Sequence, residues 1–477
     1  MAKTNEFEEG KVTGDKYSFS KEANIEYTYS SAEELVKDIS KLEQMIQHHR
    51  EHQYPRLKTL QEYYKGENTN ILTGKRRRED HLADNRATHN FAEYVSGFIQ
   101  GYMVGVPLKT SYPEEETDEQ IREINRINDA DEHNSELVLD QSIYGRSYEL
   151  VYRNRDDEIR FTALDPLRTL VIYDDTVEKM PIAAVRYFSK QFNEDDRVAI
   201  LYTENKITSY ELSQAYKLTK KKEEHHYFKG VPIIECSNNK FRKGDFENVL
   251  PLIDLYDAAQ SDTANYMQDL NDAMLKIVGN LDIDVEEAKR MKEANLLMLQ
   301  TEVDGDGRAT GADADYIYKK YDVAGTEAYK DRVFNNILLF TSIPNLLDTD
   351  GSTAQSGEAL KMKLFALAQK RATKERLFKK ALRDRYRLIS NNMSFASEGN
   401  FDVNEISITF TENLPSMIDR EMQWFNAAGG RLSQETMIEN LPFVESAKEE
   451  MERIEKENEL NSDMFQFPTE EETEKAD

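Results

Sequence analysis

Apolar residues recur at three- and four-residue spacing through SAEELVKDISKLEQMIQHHREHQYPRLKTLQEYYKG, which predicts a helical region opening with a capping box between Ser31 and Glu34. A charged loop, GKRRREDHLADN, separates it from the apolar helix FAEYVSGFIQGYMVGVPL, and another helix is predicted from Asp118 to about Tyr144. The period then falls to two. SYELVYRN, EIRFTALD, TLVIYDD, IAAVRYFSK, VAILYTEN and ITSYELS read as six strands of an antiparallel meander, and VPIIECSN closes the β-rich part.

Helical periodicity returns in NVLPLIDLYDAAQSDTANYMQDLNDAMLKIVGN, where Pro251 marks the first turn and Gly279 the end. A small insert follows: a helix over Val285–Asn295, the strand LLMLQTEV, the turn DGDGRATGAD and the strand DYIYKKYD. GTEAYKDRVFNNILLFTSI is a second apolar helix. The loop PNLLDTDGSTAQSG, residues 344–357, consists of turn formers and small polar side chains, and loops of this length are functional or disordered. SGEALKMKLFALAQKRATKERLFKKALRDRYRLISNN then reads as one helix of roughly 35 residues, about 50 Å long. The strand EISITFTEN, short helices over Ser416–Ala428, Ser433–Glu439 and Glu445–Leu460, and an acidic tail complete the chain. The predicted class is α+β, mainly helical. An insert between two helices, joined by a loop to a third, suggests a projecting stalk.

The 477 residues allow about three domains, and 25 Tyr with 21 Phe support packed cores although 32% of residues are charged. The single cysteine, Cys236, rules out an internal disulfide framework or a cysteine-based zinc cluster and fits a reducing compartment. The polar opening MAKTNEFEEGKVTGDKYS predicts no secretory signal. Glu93, Ser96, Gln100 and Pro107 leave FAEYVSGFIQGYMVGVPL too short and too polar to span a bilayer, so no membrane partner is expected. Its Gly97, Gly101 and Gly105 predict close packing of a buried helix instead. A net charge of -28 argues against general attraction to nucleic acid. The charge is uneven, however. From Ser356 to Ser390 eleven Lys or Arg stand against three acids, whereas Glu445–Asp477 carries thirteen acids and four bases.

His48-His49-Arg50-Glu51-His52 satisfies H-x-x-E-H, in which His48 and His52 would share a metal and Glu51 would act as the base of a zinc metalloprotease. Pro55 is expected to end that helix within a turn and no third ligand is marked, so a charged outer helix face is the plainer reading. Asp304-Gly305-Asp306-Gly307 begins like a calcium loop but has Arg308 and then Ala309 where glycine is needed, and Asp348-Thr349-Asp350-Gly351 fails by spacing. Gly66 and Gly74-Lys75 are too far apart for a phosphate loop, with Arg76 in place of Ser or Thr. Asp254, Asp257, Asp262, Asp269 and Asp272 read as a solvated acidic face. No catalytic centre, metal or cofactor is assigned and no enzyme is expected. The metalloprotease, and a helical scaffold without DNA contact, remain as alternatives.

On the basic helix, Leu360, Leu364, Leu367, Phe378, Leu382, Tyr386 and Ile389 form an apolar stripe, interrupted near Arg371–Glu375. Two readings stay open: an amphipathic helix packed on a neighbour, or a cationic surface held near a polyanion.

Five blocks carry a family resemblance. YYKGEN and DNRATHNFAEYVSGFIQGYMVGVPL together resemble the N-terminal signature of portal (connector) proteins of siphophage-type tailed bacteriophages. ALDPLRTLVIYDD, KGVPIIECSN, NVLPLIDLYDAAQSDTANYMQDLNDAMLKIVGN and SGEALKMKLFALAQKRATKERLFKKALR resemble later blocks of that family in the same order, over roughly residues 30–430. The resemblance implies a ring of subunits, twelve in the virion, at one capsid vertex around a channel for double-stranded DNA. It also implies assembly in the host cytoplasm and a set of partners: the terminase large subunit during DNA entry, a head-completion or adaptor protein afterwards, and the major capsid and scaffolding proteins.

The family's parts map onto a polar tail (1–30), a wing (31–245), a first stem helix (246–278), a clip (279–325) and a second stem helix (326–343). A tunnel loop (344–357), a spine helix (358–395), a strand returning to the wing (396–413), a crown (414–460) and an acidic tail (461–477) follow. Asp348, Thr349, Asp350, Gly351, Ser352, Thr353, Ala354, Gln355, Ser356 and Gly357 would then line the channel with mostly neutral polar groups. Lys361 and Lys363 would lie nearest passing DNA or enter ion pairs between subunits. Glu286, Glu287, Lys289, Arg290, Asp304, Asp306 and Arg308 would form the docking surface of the clip.

Overall fold

The computed structural model of the chain describes residues 21–73, 83–269, 274–279, 296–300, 313–317, 322–345 and 357–411, with isolated positions at 290 and between 433 and 458. After a short strand β1 (Tyr27–Thr28), the first helical region is built in pieces: α1 (Ala32–Lys37), α2 (Ile39–His48), α3 (Tyr54–Tyr64) and α4 (Thr69–Leu72). Ser31 Oγ accepts from the backbone N–H of Glu34 at 3.2 Å, the first half of the predicted capping box, while the Glu34 carboxylate takes the hydroxyl of Ser30. Pro55 does not end the helix. A π turn at His49–Gln53 joins α2 to α3 and leaves Pro55 in the first turn of α3, where its missing N–H is harmless.

Next come α5 (Phe91–Val104), β2 (Lys109–Ser111), α6 (Glu115–Ile127) and α7 (Ala130–Tyr144). Val95, Ile99 and Met103 bury one face of α5. Its glycines correct the expectation of close packing, because a Cβ placed at Gly97 or Gly101 would meet nothing within 4 Å. Gly145 is different. It caps α7 in the left-handed region, φ 84°, and a Cβ there would run into the carbonyl of Arg242, so only glycine fits.

The period-two segments form two sheets rather than one meander. β3 (Arg146–Arg153) pairs antiparallel with β4 (Ile159–Leu164) and with β10 (Ile233–Ser237), giving the order β10-β3-β4. The larger sheet contains β5 (Thr169–Tyr173), β6 (Pro181–Lys190), β7 (Asn193–Thr203), β8 (Lys206–Leu212) and β9 (Leu218–His225), with β1 lying parallel to β5 at the other edge. β9 was not expected. Its sequence LTKKKEEH has no apolar alternation because the strand is an edge exposed along nearly all its length, and its charges keep that edge from pairing further.

α8 (Leu250–Asp269) ends earlier than predicted. Met274–Gly279 is strand β11, central in a three-stranded sheet, parallel to β12 (Leu296–Gln300) and antiparallel to β13 (Asp313–Ile317). The expected helix over Val285–Asn295, apart from its one described position, and the turn between the two insert strands lie outside the described residues. α9 (Val323–Thr341) packs on α8, and α10 runs unbroken for 40 residues (Gly357–Ala396), about 60 Å. β14 (Ser407–Thr409) pairs antiparallel with β2. The helices expected over residues 416–460 fall almost wholly outside the described residues. Among the described residues helix outweighs strand, so the class is α+β and mainly helical.

Two cores meet along α10. Leu364 and Leu367 join Leu57 and Leu60 of α3, Ile99 of α5, Ile253 of α8 and Ile337 of α9. Phe378, Leu382, Tyr386 and Ile389 join Leu137 and Val138 of α7 with Val151 and Phe161 of the smaller sheet. Burial of such side chains contributes about 1.5–3 kcal/mol each, which ties the helix to both halves of the molecule.

Candidate functional site

The basic helix answers the question the sequence left open by dividing its cations between two faces. Lys374 is buried against Asp245 at 2.7 Å, and Lys370 reaches the other oxygen of the same carboxylate at 3.0 Å. Asp245 stands on the loop after β10, where Asn238 Nδ2 donates to it at 3.1 Å. Burial pushes the Asp245 carboxyl up, but Lys374 and Lys370 outweigh it and hold the group well below the usual carboxylate range. Burial draws the Lys374 ammonium down.

About three turns further along the α10 core face the pattern repeats. Arg385, fully buried, donates from Nε to Glu149 of β3 at 2.6 Å and from Nη2 to Asn134 of α7 at 2.9 Å. Its guanidinium lies 4.4 Å from the ring centre of Phe161. Against the upward push of burial, Arg385 and then His133 hold Glu149 below its ordinary value. Much of the positive charge on α10 therefore fastens the helix to the β-rich part of its own chain.

Of the other cations, Arg371 is buried with its guanidinium 5.6 Å from the ring centre of Tyr102, Lys379 is half-buried and pairs with Glu375 at 2.8 Å, and four from Arg376 onward face outward. Arg376, Lys380, Arg383 and Arg387 are exposed at successive spacings of four, three and four residues, which is one stripe of the helix. Arg387 also pairs with Asp384 on the next turn back. Sequence reading selected Lys361 and Lys363 instead and passed over this stripe, although its spacing was visible. Lys363 is exposed near the start of α10, and the side chain of Lys361 lies outside the described residues. Gly357 is the first residue of α10, so it belongs to the helix rather than the loop, while Asp348 to Ser356 lie outside the described residues. Of the insert residues, Arg290 is exposed in a helical position, and Glu286, Glu287, Lys289, Asp304, Asp306 and Arg308 fall outside.

The acidic face assigned to α8 needs correction at its centre. Asp257 is fully buried and accepts from the backbone N–H of His89 at 2.9 Å and from its Nδ1 at 2.8 Å. Ser261 Oγ accepts from Ala87 N–H at 2.9 Å and Asn265 Oδ1 from Asn85 N–H at 2.6 Å. Alternate residues of an extended segment advance about 6.6 Å and residues four apart on a helix about 6 Å. The segment DNRATHN is therefore laid along α8 in register, one N–H per helical turn. Asp257, which read as part of a solvated acidic face, instead joins Ser261 and Asn265 in the ladder that seats the chain before α5, while Asp272 and the side chain of Asp269 lie outside the described residues.

Of the metalloprotease motif, Glu51 accepts from Gln47 at 2.9 Å on the exposed side of the helix, so its carboxylate is engaged locally. His49 is buried against the hydroxyl of Tyr187 at 2.8 Å. Cys236 is buried on β10, where burial pushes its thiol well up and leaves it unreactive. No described helix is long and apolar enough to cross a membrane.

Comparison with known proteins completes the site. Residues 43–463 match the family described as "Phage portal protein, SPP1 Gp6-like". The portal protein of Bacillus phage SPP1 is 26% identical over 467 residues, covering 91% of this chain and 89% of that protein. The portal protein of Clostridium phage phiCD119 is 24% identical over 396 residues, covering 77% and 83%. A solved chain described as "Neck of empty GTA particle computed with C6 symmetry" overlaps 72% of this chain and 88% of its own length at 13% identity, but its TM-score of 0.44 carries no argument. The fold and its buried anchoring of one long helix accompany this likeness to portal proteins. The chain belongs to the phage portal protein family of the SPP1 Gp6-like kind.

Proposed function

We propose that twelve copies of this chain form a ring at one vertex of the capsid and that double-stranded DNA passes through its centre during packaging and ejection. The observation that carries the reading is the order of parts within a portal-family chain. Two packed helices bracket a small sheet, a loop follows the second, and a 40-residue helix clamped to the β-rich part comes next. In this reading α8 and α9 are the stem, residues 279–325 the clip, residues 344–357 the tunnel loop, α10 the spine and residues 414–460 the crown.

Uncovered apolar side chains support self-assembly. Leu339 and Phe340 on α9 and Met362 and Phe365 on α10 are 62–79% exposed, on faces turned away from the chain's own core. The open glycine face of α5, flanked by exposed Tyr94, offers a further surface where a neighbouring backbone can approach closely. A channel made of strongly acidic chains repels phosphates and lets DNA slide, and a few basic rings steer it without acting as a brake. The loop fits that role, since Asp348 and Asp350 are its only charges and Thr349, Ser352, Thr353, Gln355 and Ser356 offer neutral contact.

The clip residues Glu286, Glu287, Lys289, Arg290, Asp304, Asp306 and Arg308 would receive the terminase large subunit and afterwards the head-completion protein, with capsid and scaffolding proteins meeting the outer wing. Gly351→Pro fixes φ in the loop, and Lys361→Ala with Lys363→Ala removes the first cations of the spine. Each variant is expected to form rings normally and to package or retain genomes poorly in a complementation assay. Normal packaging by both would remove the loop and these lysines from the channel.

A further inference from the structure

The structure supplies a third ligand for the histidine pair that the family role leaves unused. Glu22 lies in the short turn Lys21–Asn24, outside the helix that carries His48 and His52. Its Oε2 stands 3.6 Å from His48 Nε2 and 3.5 Å from His52 Nε2, and one atom from each of the three groups lies within 4.8 Å of the others. Those separations are too long for hydrogen bonds. They are close to the distance of about 3.4 Å that separates two ligand atoms of a tetrahedral zinc ion with bonds near 2.1 Å.

The arrangement is held in place by its surroundings. His48 Nδ1 meets the hydroxyl of Tyr27 at 3.0 Å, so the ring presents Nε2 to Glu22, the outer-shell orientation that metal-bound histidines use. The π turn at His49–Gln53 begins between the two ligands and sets the position of the second, and the two imidazoles stand 4.5 Å apart between ring centres. Asn24 is tied to the carbonyls of Phe241 and Arg242, and Gln53 to that of Ile25, which fixes the Glu22 turn beside the helix.

We propose that Glu22, His48 and His52 bind one divalent cation of the zinc class, with water completing the shell on the exposed side. Two imidazoles and a carboxylate suit zinc or cobalt and are poor ligands for calcium or magnesium. With the Glu51 carboxylate engaged by Gln47, the ion serves as a staple between the N-terminal turn and the helix rather than as a hydrolytic centre.

The full chain, stripped with chelator and titrated with zinc chloride in a calorimeter, should bind one equivalent per chain with saturation. Cobalt in its place should give the visible absorption of a four-coordinate ion. Glu22→Gln and His52→Ala should each weaken zinc at least about tenfold while keeping the far-ultraviolet circular dichroism of the parent. The parent titration alone overturns the proposal if no saturable equivalent binds. Binding unchanged in whichever variant folds also overturns it, by moving the ion to other histidines such as the His225–His226 pair.

Discussion

Asp245→Ala should lower the unfolding free energy by about 3–5 kcal/mol, because it leaves Lys374 buried with no counter-charge. The magnitude comes from what stays behind, not from the attraction lost. Lys374 is 2% exposed and Lys370 23%, so only the second can turn to water. Removing the stranded charge as well, in Asp245→Ala with Lys374→Met, should recover much of the loss. Urea denaturation of the parent and the two variants measures this, and a single-variant loss below about 1 kcal/mol would contradict it. The same pair sets a pH dependence. Since the folded carboxyl titrates far below its unfolded value, its contribution is complete above about pH 4 and declines as pH falls from there. The Asp245→Ala variant should therefore show a flatter acid limb than the parent.

Arg385→Ala should have a loss of similar size, about 3–5 kcal/mol, by leaving Glu149 buried at the junction of α10 and the smaller sheet. Here a second substitution separates charge from shape. Arg385→Lys keeps the charge, but a point ammonium cannot reach Glu149 and Asn134 together or lie flat over Phe161. An intermediate loss is expected for lysine. If lysine restored full stability, the fork and the ring contact would be idle and only the charge would count. Both variants bear on function, because they loosen the long helix from the part of the chain that holds it.

Much of the architecture was legible where a pattern is local. Seven strands were placed because their inward residues alternate, as Val151, Phe161, Val185 and Leu201 do, and the helix of Leu364 to Ile389 announced itself by its stripe. β9 was invisible for the converse reason: LTKKKEEH buries almost nothing, and only its neighbour β8 makes it a strand. MLKIVG reads equally well as the last turns of a helix, and its strand form depends on β12 and β13, which lie well along the chain. The site was harder still. That Asp257 is buried depends on DNRATHN lying over it, and that Glu22 meets His48 and His52 depends on a turn in a different segment. The inward placement of Lys374 and Arg385 required knowing where Asp245 and Glu149 would stand. Family resemblance supplied the overall role because several blocks kept their order, which no single residue could convey.

Electron microscopy of the purified full-length protein tests the central claim most directly. The account predicts closed rings with a central hole, twelve subunits around when incorporated in capsids. Monodisperse single chains in capsid-free and capsid-containing preparations alike would contradict it.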